Sequence, residues 1–456
     1  MNKKNSIPVP SFFKEYDIRG LIDTELNEET AERIGKTVGT FLKGVDVLVA
    51  RDIRHSSQKI QPAFIKGLRS TGSNVTFVGE YGSPILFFNC WQQKKEGAMI
   101  TASHNPAVYT GFKFVEKTGC SYVDQYTELK RIYAEGVFRN GDGNYREIDG
   151  YAPYRDYLKS IIKLNKNKPI TIATECLYAS SGVIIPRLYE ELGLRVLPSH
   201  CTPKPDFNNE RPEPKGANLR EMAEMVIKNK ASFGVGFDGD CDRSVFIDDK
   251  GREINGSIAA AIFIKYILPQ YKTKRNVIIT VDCNAELKQL AESLGGSLVW
   301  SEVGHGFIGM NVFKHRAVFG AEMSSHFWFE HYPFSDGFIA GLKMAELLSH
   351  SDKKLSELVD ATRFAPMLKE YIDCGTHERK ESVKAKLIER YQKEHKDATL
   401  TRDGIKFFLN DIEWVLLRKS NNLPEVCLVI EARDDARLKE LYAKYRKVID
   451  ELIASS

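Results

Sequence analysis

The chain has almost no excess charge of either sign: 65 Lys and Arg stand against 61 Asp and Glu over 456 residues, a net +4. A nucleic-acid binder usually carries a stronger basic surplus or a basic stripe, so no nucleic-acid partner is expected and the ligand should be small. An anionic ligand would then be caught by a few aimed cations rather than by the overall field. No uncharged apolar run approaches the roughly 18 residues of a membrane span, and residues 1–10 (MNKKNSIPVP) lack the apolar stretch of a signal peptide. The eight cysteines (Cys90, Cys120, Cys176, Cys201, Cys241, Cys283, Cys374 and Cys427) include no CxxC pair. Zinc sites and redox dithiols are therefore not expected, and reduced thiols in a cytoplasmic protein are. The balance that is present, 42% hydrophobic and 28% charged, is that of an ordinary globular chain. Its length corresponds to about three domains.

A weak repeat organises the first two thirds. Val45–Ala50 is a short apolar run followed by a loop, a helical pattern over Ile60–Ser70, Gly72 and a second run, Val75–Val78. The same order returns as Ile170–Ala173, Val183–Leu192, Gly193 and Leu194–Leu197, and again as Asn276–Val281, Ala285–Leu294, a Gly pair and Ser297–Trp300. Strand, helix, Gly stop, strand is the order of a βαβ crossover in a mainly parallel sheet. Three copies predict three similar α/β domains; one α/β domain with long insertions is the alternative. The remainder differs. Ser382–His395 reads as a charged helix, Gly404–Phe408, Trp414–Leu417 and Val426–Glu431 as strands, and Asp435–Ser456 as a long helix, an α+β module. The expected domains are 1–150, 151–253, 254–366 and 367–456.

Four segments carry candidate chemistry. Thr101-Ala102-Ser103-His104-Asn105-Pro106 follows an apolar approach, and its Asn-Pro pair favours a turn. It presents Ser103 beside His104, with Lys113 ten residues beyond Ser103; a serine needs such an activating neighbourhood to form a covalent intermediate. An ordinary Ser/Asn/Pro turn is the plain alternative. Asp238-Gly239-Asp240-Cys241-Asp242-Arg243 lies between two strand-like runs, and its three carboxylates repel unless a positive charge joins them. A hard divalent cation held by oxygens resolves the repulsion and suits Mg²⁺. An EF-hand is excluded, because Arg243 and Asp249 stand where Gly and Glu are needed. Glu322, Ser324 and His326 in Gly320–His326 are all able to bond sugar hydroxyls, and His305 lies just upstream between two glycines. Arg418-Lys419-Ser420-Asn421-Asn422-Leu423-Pro424 offers cations, a hydroxyl and amides for a phosphate, or a solvated hairpin tip.

Taken in order, FKEYDIRG, TASHNP…GFK, DGDCDR, GAEMSSH and RKSNNLP resemble the α-D-phosphohexomutase family, in its phosphomannomutase/phosphoglucomutase branch. The resemblance spans nearly the whole chain. It implies a heart-shaped arrangement of three related α/β domains with mixed sheets, plus a C-terminal α+β domain of the TATA-binding-protein type. It further implies that Ser103 is the phosphoserine, with Asp238, Asp240 and Asp242 holding Mg²⁺ against it. Lys113, Arg243 and His104 would serve at the reaction centre. Glu322, Ser324, His305 and His326 would meet the sugar, while Arg418, Ser420, Asn421 and Asn422 grip the phosphate that is not transferred. Tyr16 and Arg19 would border the site.

The reaction so implied moves phosphate between O1 and O6 of mannose, and of glucose too, through a hexose 1,6-bisphosphate that is both intermediate and activator. Lys113 would act as base only with a lowered pKa. Small hexose phosphates are the expected partners, and a monomer or weak homodimer the expected assembly. Phosphoglucomutase as main activity, phosphoglucosamine mutase, a phosphatase and a non-catalytic sugar-phosphate binder are the alternatives. Met323 favours the first branch over the phosphoglucosamine one. Five positions depart from the family pattern: Asn284 and Glu302 stand where basic residues are expected, Ser325 where Gly is, and Asn422 and Leu423 where Thr and Glu or Thr are.

Overall fold

Three times along the chain one apolar strand pairs in parallel with two neighbours, and the second of those neighbours turns back in an antiparallel hairpin. The computed structural model describes residues 7–330, 332–420 and 423–456. In the first domain β1 (Ile18–Leu21), β2 (Val47–Arg51), β3 (Val75–Glu80), β4 (Glu96–Ile100), β5 (Tyr109–Val115) and β6 (Tyr145–Glu147) lie in the order β1-β5-β4-β2-β3-β6. In the second, β7 (Thr171–Glu175), β8 (Arg195–Ser199), β9 (Phe233–Phe237), β10 (Ser244–Ile247) and β11 (Glu253–Ile254) lie in the order β11-β10-β9-β7-β8. In the third, β12 (Asn276–Thr280), β13 (Ser297–Ser301), β14 (Phe319–Ala321) and β15 (Phe327–Phe329) lie in the order β13-β12-β14-β15.

The sequence repeat corresponds to the parallel pairs β2–β3, β7–β8 and β12–β13. What the repeat did not show is the next strand in each domain. β4, β9 and β14 join the same central strand in parallel, then return antiparallel as β5, β10 and β15. The sheets are therefore mixed. Every catalytic-looking loop of the first three domains sits at that one place, between the last parallel strand and its antiparallel return.

The fourth domain is an antiparallel sheet of β16 (Met367–Asp373), β17 (Thr399–Thr401), β18 (Gly404–Phe408), β19 (Trp414–Lys419) and β20 (Glu425–Glu431), ordered β16-β20-β19-β18-β17. The helices His377–Glu394 and Asp435–Ala454 pack on it through Val383, Leu387, Tyr391, Leu441, Tyr445 and Ile449. One apolar cluster runs through the first three domains, including Leu48, Phe87, Phe237, Phe263 and Phe338. The fourth domain keeps its own core and meets the third through a smaller patch of Val281, Val303, Trp414, Leu416, Cys427 and Val429. The first three domains are thus fused by burial, and the fourth is docked.

Two sequence expectations change here. β16 was not foreseen, because its charged residues Lys369, Glu370 and Asp373 mask the strand alternation. Nor are all eight thiols reduced: Cys176 and Cys201 form a disulfide between the ends of β7 and β8. The parallel register that sets Glu175 opposite Ser199 brings the following residues side by side, which a sequence separation of 25 gives no hint of. The other six cysteines are free and buried. Among the described residues no helix is long and apolar enough to cross a membrane.

A buried carboxylate governs the docking of the fourth domain. Glu431 accepts hydrogen bonds from the Ala285 N–H (2.9 Å), the Asn284 amide and the Trp414 indole. Burial, and then Glu286 beside it, push Glu431 up to about 8. The folded state thus keeps a proton that the unfolded chain releases, and stability from this group is lost as pH climbs from the ordinary carboxylate range through about 8. Nearby Lys406, pulled down by burial to about 8, changes its contribution only above that pH. Thermal unfolding between pH 5 and 8 should therefore show a falling midpoint in the wild type and a flatter one in Glu431→Gln. Parallel curves would contradict this.

Candidate active site

Ser103 stands on the loop between β4 and β5 with a left-handed φ of +51° and is almost wholly buried. Such a backbone is uncommon outside glycine and persists only where the surroundings impose it. Arg54 is the imposing group. Its guanidinium donates to the carbonyls of Ser103 (2.5 Å), Asn105 (2.7 Å) and Pro106 (2.7 Å), and its Nε to Asp52 (3.0 Å). Asp52 also accepts from Thr101, whose hydroxyl accepts the Ser103 N–H. Arg54 is completely buried and lies over the Phe207 ring of the second domain. The sequence reading missed Asp52 and Arg54. Their only early signal was two charges directly after an apolar strand.

The turn between β9 and β10 brings Asp238, Asp240 and Asp242 against this loop. Gly239 lets the two backbones meet: a Cβ there would lie 2.2 Å from the Ser103 carbonyl oxygen. The Ser103 hydroxyl donates to Asp238 (2.9 Å). One oxygen from each of the three carboxylates lies within 4.8 Å of the others, all three residues are buried, and Asp240 Oδ1 has no hydrogen-bond partner. Hard oxygens converging with an unsatisfied atom fit a small divalent cation. Burial, then Asp242 and Asp240, raise Asp238 to about 7.

Cations surround the triad. Lys113 donates to Asp240 (2.6 Å) and Asp242 (2.8 Å). Burial alone would lower Lys113, but Asp240 and Asp242 outweigh it and the net shift is upward. In this geometry the shift runs opposite to the lowering that a general base requires. Arg243 Nη2 donates to His104 Nδ1 (2.8 Å), while burial and the Arg243 charge push His104 well below its usual range. His104 is therefore a neutral imidazole 3.4 Å from the Ser103 hydroxyl. Arg19 is held by Asp17 (2.7 Å) and reaches the Asn105 side chain (2.9 Å).

The third domain closes the other side. Gly337 donates its N–H to the Cys241 carbonyl, and a bridge pairs Arg243 with His326. His326 touches Asp242 through Nε2 (3.2 Å) and Glu322 through Nδ1 (2.9 Å), with the Ser324 hydroxyl 2.9 Å from Nδ1. Burial would lower His326, yet these two carboxylates raise it to about 9. Burial likewise opposes ionisation of Glu322, but the His326 hydrogen bond brings it down to about 2. His305 stacks on His326 with ring centroids 5.9 Å apart and meets Tyr16 edge-on at 5.4 Å, and burial lowers it to about 4. Ser325 adopts φ +68°, the backbone for which Gly is expected at that position.

Arg418 and Ser420 make their bonds within the fourth domain. Arg418 Nε is bound to Asp403 (2.6 Å), and Lys380 donates to the Ser420 and Leu423 carbonyls (2.9 and 3.1 Å). Asn421 and Asn422 lie outside the described residues.

Three family models match in order: phosphoglucomutase/phosphomannomutase alpha/beta/alpha domain I over residues 10–139, domain II over 152–251 and domain III over 255–364. The chain belongs to this family. Within the phosphoglucomutase/phosphomannomutase family it is 30% identical over 443 residues to a phosphomannomutase of Escherichia coli, covering 94% of this chain and 96% of that one. It is 29% identical over 450 residues to a probable phosphoglucosamine mutase of Thermococcus gammatolerans, covering 97% and 99%. Among solved structures, a phosphoglucomutase/phosphomannomutase family protein from Burkholderia thailandensis superimposes with a TM-score of 0.86 at 26% identity, over 97% of each chain. The four-domain phosphohexomutase fold expected from the motifs is the fold observed.

Two of the five departures acquire a structural meaning. Asn284 is buried and donates to Glu431 and to the Ala365 carbonyl (3.2 Å), and Glu302 accepts the Arg402 N–H (2.7 Å). Both positions join the third domain of this phosphohexomutase to its fourth. Where basic residues are expected, this chain thus has contacts between domains.

Proposed function

We propose that the protein interconverts mannose 6-phosphate and mannose 1-phosphate, and glucose 6-phosphate and glucose 1-phosphate, through phospho-Ser103 and a hexose 1,6-bisphosphate. The observation that supports this most is the Ser103 hydroxyl, 2.9 Å from Asp238 in a buried triad ringed by Lys113, Arg243 and His326. Phosphoryl transfer consists mostly of positioning and charge stabilisation, and that is what these groups supply.

Mg²⁺ held by Asp238, Asp240 and Asp242 would neutralise charge on the transferring phosphoryl group. Ser103 gives its phosphoryl to the free sugar hydroxyl and takes back the other one after the bisphosphate has turned over in the cleft. Lys113 and Arg243 hold phosphate oxygens; the proton that leaves the attacking sugar hydroxyl ends on the Ser103 oxygen, and the same exchange runs in reverse when Ser103 takes a phosphoryl group back. Glu322 and Ser324 read sugar hydroxyls, with His305 and His326 beside them and Tyr16 and Arg19 at the rim. Arg418, Ser420, Asn421 and Asn422 grip the distal phosphate from the docked fourth domain. In this reading the domains divide as 1–150, 151–253, 254–366 and 367–456, and the protein acts in the cytoplasm as a monomer or weak dimer.

Glucosamine phosphate is the second reading, because a relative named as a phosphoglucosamine mutase is as similar to the chain as the phosphomannomutase. A panel of mannose, glucose and glucosamine 1-phosphates, assayed with Mg²⁺ and the matching 1,6-bisphosphate, separates the two. The highest kcat/KM should fall on mannose or glucose phosphate. A clear preference for glucosamine phosphate would overturn it, and release of inorganic phosphate without isomer would make the protein a phosphatase.

A further inference from the structure

The disulfide between Cys176 and Cys201 joins two segments that lead to the machinery shaping the Ser103 loop. Cys176 follows β7 and is fully buried; Cys201 follows β8 and is half-buried. Three bulky residues beside them, Leu177, Tyr178 and His200, hold left-handed φ values of +49°, +55° and +47°. Leucine and tyrosine seldom adopt such a backbone, whereas histidine does so more often. Besides the disulfide, three backbone bonds join the two segments, Cys176 N–H to Ser199 O (3.1 Å), Tyr178 N–H to His200 O (2.9 Å) and Lys204 N–H to Tyr178 O (2.8 Å), and the buried Glu175 carboxylate accepts the Leu177 N–H (2.8 Å) and meets His200 Nδ1 (3.0 Å).

Both segments lead directly to the first domain. Ala179, three residues beyond Cys176, and Phe207, six beyond Cys201, pack with Ile53 and Ala107 in one buried cluster. Ile53 lies between Asp52 and Arg54, and Ala107 lies on the Ser103 loop itself. Phe207 also forms the floor on which the Arg54 guanidinium rests, 4.6 Å from its ring centroid. The path from the sulfurs to Ser103 is therefore short and material: disulfide, Ala179 and Phe207, Ile53 and Arg54, then the Ser103 carbonyl.

We propose that Cys176 and Cys201 are a reversible dithiol–disulfide modification site, with a dithiol reductant as its reaction partner, whose state sets the order of the Ser103 loop. The attacking thiolate approaches the more accessible Cys201 sulfur, forms a mixed disulfide with it and expels the Cys176 thiolate, which takes up a proton. The second thiol of the reductant then attacks its own sulfur in the mixed disulfide and expels the Cys201 thiolate. Two electrons and two protons pass to the protein, and the reductant leaves as a cyclic disulfide. Once the bond is open, Leu177, Tyr178 and His200 relax from the left-handed region, and Ala179 and Phe207 loosen against Ile53 and Arg54. The effect on turnover rests on the proposed role of Ser103; the effect on loop order does not.

The test compares the full-length protein before and after treatment with dithiothreitol, and again after reoxidation with its cyclic disulfide. Alkylation of the denatured chain should count six free thiols before reduction, the number left outside the pair, and eight after it. Hydrogen exchange of the amides of residues 101–109 should accelerate on reduction and recover on reoxidation. With hexose 1-phosphate, kcat should fall about 3- to 10-fold while KM changes little, because the misplaced group is the donor serine and not the sugar loop. Cys201→Ser should show the fast exchange with or without reductant. Should that variant not fold, the wild-type cycle alone decides. Eight thiols before reduction, or exchange and kcat that ignore the change from six to eight, would overturn the proposal. A chain that turns over no hexose phosphate would still answer through exchange and thiol count, so failure of the mutase reading is told apart.

Discussion

Ser103→Ala should lose isomerase activity by at least about 10⁴-fold, the scale on which removal of a covalent nucleophile acts. The hydroxyl is the only part removed, and its partners, Asp238 at 2.9 Å and His104 at 3.4 Å, stay in place. The loop should keep its shape, because Arg54 and Thr101 hold it through backbone atoms and not through the side chain. Intact-mass measurement of the wild type should reveal a bound phosphate that is missing from the variant. Undiminished turnover in Ser103→Ala would end the phosphoserine mechanism, whatever the substrate.

Asp240→Asn should lower kcat by about 10²- to 10³-fold with the fold retained, the range of a lost electrostatic contact to a transferring group. Asp240 accepts from Lys113 and from the Ser83 hydroxyl (2.6 Å each). Asparagine keeps the volume, and Lys113 keeps Asp242 at 2.8 Å. The cost therefore falls on charge. Raising Mg²⁺ should recover part of the rate, and a melting temperature close to wild type should accompany the loss. Normal activity at low Mg²⁺ would contradict the metal assignment.

How far the sequence was legible depended on how local each feature is. The aspartates at 238, 240 and 242 are neighbours in sequence and in space, so their mutual repulsion could be read before any fold was known. Ser103, His104 and the Asn-Pro turn are equally local. Lys113 stood out in the sequence as a candidate, but its partners did not: they are two carboxylates some 130 positions away, and they raise a group that catalysis by a base would need lowered. Arg54 escaped for a similar reason. Its acceptors lie about 50 residues downstream and its aromatic floor belongs to another domain.

The helices and central strands followed the apolar pattern. The strands missed were short or heavily charged, as in Met367–Asp373 and Thr399–Thr401. Asn284 and Glu302 were legible as departures, yet their partners Glu431 and Arg402 could come only from the docking of the fourth domain.

That docking has a consequence for how firmly the domains hold together. Besides its backbone bond to Glu302, Arg402 reaches Asp124 of the first domain (3.0 Å) and covers the Phe307 ring at 5.0 Å, so one exposed side chain ties the fourth domain to two others across the cleft. Exposed pairs of this kind contribute about 0–1 kcal/mol and are screened over roughly 8 Å at physiological salt. The seam between the fourth domain and the first and third is thus held in part by exposed charge, and its grip should loosen as ionic strength rises.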